Sequence, residues 1–174
     1  MMNSIPATYD TTTPLGKCFR GLDLILIWAL VLIFIFMVGI VSAQVVMRYG
    51  FNVSIDWAEE SGRLAFVWVV FLAIPLAASQ GAHIGINLFV DKFSLEHQRL
   101  IQRVSAALCA ALSFAIAWSC IELCKDQWDE QMATIDISVA YFFVAVGLGM
   151  LCTGLHMIRI TITGEMHKQS GDAE

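Results

Sequence analysis

The chain has 174 residues, 58% of them hydrophobic and 14% charged, with a formal net charge of −5. Ordinary globular chains carry roughly 45–50% apolar and ~25% charged residues, so this composition excludes a soluble domain and indicates one integral membrane domain over residues 1–174. No basic cluster of the kind a nucleic-acid surface needs is present, and the five cysteines, an odd number lying mostly in apolar runs, do not read as a disulfide framework.

Residues 1–16 are rich in Thr, Pro and small polar side chains and read as a loosely ordered tail, the N-terminal flank extending to residue 20. The apolar run Leu22 to Val46 follows, 25 residues long. At ~1.5 Å per residue it reaches ~37 Å, enough to cross a ~30 Å hydrocarbon core with tilt. Its length, and the lack of a small-x-small cleavage pattern after it, mark it as a first span and not a signal peptide. The bridge over 49–55 contains Asn52-Val53-Ser54, a formal glycosylation acceptor read here as accidental. A second span covers 57–79. Trp57 anchors it at the interface, and Asp56 is placed to cap it with Glu59 in capping-box register. Ala58, Gly62 and Ala65, with Ser61, give it a small-residue face that another helix can approach closely. Pro75 lacks the N–H that would pair with the Phe71 carbonyl.

Residues 80–103 form a connection in which 84–93 mixes apolar positions with Asn87, Asp91 and Lys92, a pattern for an amphipathic segment lying in the interface. The third span is placed at about 104–124, with packing edges at Ala106/Ala110, Ala107/Ala111 and Ala115. An acidic connection, Lys125 to Asp136, leads to a fourth span over 137–158, capped by Asp136 and ridged by Ala145, Gly149 and Thr153. Residues 159–174 are a polar tail. The expected fold class is therefore all-α: four transmembrane helices plus an interfacial segment between the second and third. Lys17, Arg20, Lys92, Arg99, Arg103, Arg159 and Lys168 fall on one side of this topology, and Arg48, Arg63 and Lys125 on the other. By the positive-inside rule both termini are expected in the cytoplasm.

Catalysis needs a nucleophile, an acid/base pair or a metal cluster within mutual reach, and the sequence offers none, so no catalytic, metal or substrate-binding residue and no cofactor is expected. Paired histidines for haem, a phosphate-binding loop and HExxH are all missing. No charge is read at the midpoint of a span, where an ion or solute path would show itself. The concentrated polar feature is the start of the second span. Glu59 and Glu60 lie four and three residues before Arg63, within reach of its guanidinium on a helix. Two readings stand: a charged docking point for another protein, or a helix start whose charges are simply solvated.

The stretch containing Arg48, Tyr49, Phe51, Asn52, Ser54, Trp57, Glu59, Glu60, Arg63, Phe66, Trp68, Phe71 and Leu72, with His83 and Ile84, resembles the signature region of the small membrane subunit, the DctQ family, of tripartite ATP-independent periplasmic (TRAP) transporters. The chain departs from that pattern at Ala73, Gly85 and Asn87. The resemblance implies a non-catalytic permease subunit of the bacterial inner membrane. Its expected partners are a large membrane subunit, a periplasmic binding protein that delivers an organic acid for ion-gradient-driven uptake, and membrane lipids. Candidate assembly or docking residues are Arg48, Asn52, Trp57, Glu59, Glu60, Arg63 and His83. A reading of a different class is a membrane anchor or assembly subunit of a respiratory or other membrane enzyme.

Overall fold

The structure, a computed structural model, describes residues 14–79 and 95–163. Among these it contains four helices: α1, Pro14–Gly50; α2, Asp56–Ser79; α3, Leu95–Asp126; and α4, Ala140–Thr163. All four are long and apolar enough to cross a membrane, over Phe19–Gly50, Asp56–Ser79, Arg103–Asp126 and Ala140–Thr161. This is an all-α, multi-pass membrane protein. The expected interfacial segment over 84–93 and His83 lie outside the described residues.

Helix α1 is longer than expected at both ends. It opens with Pro14, whose fixed φ and missing N–H suit a first helical turn, so helix replaces part of the tail expected before residue 21. It ends at Gly50 and is closed off just beyond by Asn52, which takes the left-handed conformation (φ 54°) while the N–H groups of Phe51 and Val53 both donate to the Met47 carbonyl, at 3.2 and 3.1 Å. That cap turns the chain sharply into α2. Asp56 is the first residue of α2, and its carboxylate accepts the Ser54 hydroxyl at 2.8 Å.

Helix α4 packs between α2 and α3, and α1 lies against α2. Lipid supplies no hydrophobic drive between helices, so close approach and van der Waals fit decide the packing. The small-residue faces do this work. Ala58, Gly62 and Ala65 are buried, and a side chain at Gly62 would meet Val41 of α1. On α4, Ala145, Gly149 and Thr153 are buried too. A Cβ at Gly149 would collide with the Phe71 carbonyl of α2, the group that Pro75 leaves without its helical donor. Proline and glycine thus act as a pair, one freeing a carbonyl and the other admitting it. Leu26, Leu72 and Cys152 form one buried cluster across α1, α2 and α4; Ala78, Ala106, Ala110 and Met157 form another across α2, α3 and α4.

Helix α4 starts at Ala140, later than the expected 137, and Ser138 rather than Asp136 prepares its first turn. Residues 131–138 are occupied by a tight turn closed by an antiparallel bridge between Gln131 and Ser138. Within it Met132 donates to Ile137 (3.0 Å), and just outside it Val139 donates to Glu130 (2.9 Å). The Ser138 hydroxyl accepts from the Ala140 N–H and donates to the Gln127 carbonyl, each at 3.1 Å, so one side chain both starts α4 and ties back to the end of α3.

Candidate functional site

The α1–α2 and α3–α4 connections lie at one end of the antiparallel bundle, and there α2 grips the second of them. The Glu60 carboxylate accepts the Ala133 N–H at 3.0 Å, the Thr134 N–H at 2.9 Å and the Thr134 hydroxyl at 2.5 Å. Two backbone amides and a hydroxyl converging on one carboxylate make a small anion cradle, built here by the protein for its own side chain. Glu60 is therefore engaged inside the chain. Arg63, expected to pair with both carboxylates, instead places its guanidinium 5.6 Å from the centre of the Phe142 ring on α4. No ion pair between Arg63 and a carboxylate lies within 4 Å among the described residues.

The other docking candidates surround this clasp without joining it. Arg48 and Asn52 are exposed at the end of α1, and Trp57 and Glu59 are exposed on the first turn of α2. Exposed apolar residues accompany them, Tyr49 and Phe51 being 80% and 68% accessible. This end of the molecule thus presents aromatic and charged groups side by side.

At the opposite end lies a feature passed over in the sequence. Asp23 falls inside the run read as uniformly apolar, yet it is buried and faces His156 of α4. Their side chains are 9% and 1% exposed, with His156 Nε2 3.2 Å from Asp23 Oδ1. The ring N–H is not aimed well enough for a hydrogen bond, so the contact is one of charge or dipole. Phe19 packs on the imidazole with ring centres 5.2 Å apart, and Arg159 stands over Phe19 at 5.7 Å. Neither Asp23 nor Arg159 is without other partners. An ionisable residue inside a span is the signal that finds such a pair, because it is costly unless a neighbour compensates it. Among the described residues no three His, Cys, Asp or Glu side chains group as a metal site.

Fold and site together define a multi-pass membrane protein with four membrane-length helices among the described residues and ties at both ends. Residues 37–164 match the family described as tripartite ATP-independent periplasmic transporters, DctQ component, and the chain belongs to that family. It is similar to a TRAP transporter small permease protein of Haemophilus influenzae, 26% identical over 135 residues, covering 75% of this chain and 81% of the relative. The C4-dicarboxylate TRAP transporter small permease protein DctQ of Vibrio cholerae is 31% identical over 74 residues, 42% of this chain and 32% of its own. The isethionate TRAP transporter permease protein DctMQ of Oleidesulfovibrio alaskensis is 21% identical over 103 residues, 57% of this chain but 16% of that longer protein. Family membership selects the transporter reading over the enzyme-anchor reading.

Proposed function

We propose that this chain is a non-catalytic scaffold that packs against the large membrane subunit of a TRAP transporter during ion-gradient-driven uptake of an organic acid delivered by a periplasmic binding protein. The observation that carries this is the bareness of α1. In its most apolar stretch 6% of residues are buried within the chain, against 39% for α4, and Trp28, Leu32, Ile35 and Phe36 are all exposed. A long helix that packs along α2 and meets α4 only around Asp23 and Leu26 is suited to laying its remaining faces against another membrane protein. The DctMQ relative supports this choice of partner, since this chain matches only a minor part of its length. Relatives named for isethionate and for C4-dicarboxylate share the match, which favours assigning solute choice to other subunits.

The distribution of basic residues favours an inner-membrane topology with both termini in the cytoplasm. The Glu60 end would then face the periplasm. Exposed Arg48, Asn52, Trp57, Glu59 and Arg63 there are proposed, together with His83, as assembly or docking contacts. The test is photo-cross-linking from Trp28, Leu32 and Ile35 in the co-expressed complex, combined with uptake by the purified single chain in liposomes. Cross-links to the large subunit and no uptake by the single chain are expected. Solute uptake by this chain alone would refute the scaffold reading.

A further inference from the structure

Between α3 and α4, on the outer flank of the bundle, runs a groove of about 630 Å³. That volume lies within the ~300–1,000 Å³ usual for small-ligand sites. Its floor is made of the small residues Ala117, Cys120 and Gly147, and exposed Ile121 and Leu148 form its walls. Its mouth differs sharply in chemistry. Lys125, Trp128 and Asp129 stand there, at the level where the α3 span ends, and Trp128 is stacked on Tyr141 with ring centres 6.4 Å apart. Neither Lys125 nor Asp129 has an ion-pair partner within 4 Å among the described residues.

Length decides the kind of occupant. From Ala117 to Lys125 the groove follows nine residues of helix, a rise of ~12 Å, close to one leaflet's half of a ~30 Å hydrocarbon core. One turn deeper the helices close: a side chain at Gly154 would already stand 3.0 Å from the Phe114 ring. A transmembrane helix of a partner needs a trough running through both leaflets, whereas a lipid tail needs one that ends at the midplane. The rim adds the headgroup. A cation and an anion beside an interfacial Trp complement a headgroup that itself carries a phosphate and an ammonium.

We propose that the α3–α4 groove binds an acyl chain of a zwitterionic, amine-bearing phospholipid from the leaflet at the loop end, with Lys125 facing its phosphate and Asp129 its ammonium. The site is independent of the scaffold reading, since it requires only that the chain span a membrane. For the test, the full chain is reconstituted in nanodiscs of equal parts phosphatidylethanolamine and phosphatidylglycerol and returned to mild detergent, and retained lipid is counted by native mass spectrometry. Phosphatidylethanolamine is expected in excess. Leu148→Trp, filling the groove from its exposed wall, should lower retention about tenfold, equivalent to ~1.4 kcal/mol. Asp129→Lys should keep occupancy but turn the preference toward phosphatidylglycerol. Retention unmoved by Leu148→Trp, or a headgroup preference unmoved by Asp129→Lys, overturns the proposal. So does a cross-link from residue 148 to a helix of the large subunit in the assembled complex.

Discussion

At the loop end of the bundle an exposed carboxylate, Glu60, holds the α3–α4 connection through three neutral donors, whereas at the other end a buried acid and a buried imidazole, Asp23 and His156, join α1 to α4. Both ties link elements far apart in sequence. They differ in what replaces them when broken. Water reaches Glu60 and its donors, so each lost bond is exchanged for a hydrated one. No water reaches His156, and a partner removed there leaves its opposite number in a medium that solvates it poorly.

The largest effect is therefore expected at the buried pair. Removing one member of a buried ionisable pair typically costs ~3–5 kcal/mol, while replacing both with apolar residues of similar size is often neutral. Asp23 keeps other partners, which places His156→Leu toward the lower end of that range. Unfolding of the purified chain in detergent should show this loss, and Asp23→Leu combined with His156→Leu should recover most of it. Strictly additive single and double variants would mean that the contact carries no coupling energy.

Breaking Glu60 should give a smaller and more local response. With Glu60→Ala the amides of Ala133 and Thr134 lose their acceptor, and their hydrogen exchange should rise several-fold while global unfolding stays nearly in place. Glu60→Gln should fall between, because its amide keeps one acceptor oxygen for two amides and a hydroxyl. Unchanged exchange at both amides in Glu60→Ala would show that the turn holds itself.

The same contrast explains what could be read from the sequence. The four helices were legible because apolar length and small-residue spacing are local signals, and the buried faces at Ala58, Gly62, Ala65 and at Ala145, Gly149, Thr153 follow directly from them. The start of α4 was misplaced because a bridge between Gln131 and Ser138 uses residues that a capping rule at Asp136 assigns to the helix. The Glu60 cradle joins positions 74 apart, with no periodicity to announce it. Asp23 was different. Its signal was present, but averaging over a mostly apolar run of 25 residues concealed a single acid whose significance lies in being single.

The smallest stability effect, and the sharpest functional one, is expected at Arg63. Sequence spacing assigned it to neutralise Glu59 and Glu60, yet Glu60 is satisfied by the loop and the guanidinium sits over Phe142. Arg63→Leu therefore strands little charge and forfeits an exposed cation–π contact, ~0.5–1 kcal/mol. Phe142→Leu should lose a comparable contact from the other side, and combining the two should add little further cation–π loss. Assembly separates the remaining roles. If the positive charge itself docks a partner, Arg63→Lys and Phe142→Leu should retain co-purification with the large subunit while Arg63→Leu loses it. If the ring contact matters because it orients the guanidinium, Arg63→Lys and Phe142→Leu should fail together, since an ammonium does not reproduce the planar stack. Wild-type assembly in all three variants would reduce Arg63 to a solvated helix end and leave Glu60 as the one member of the cluster with a structural task.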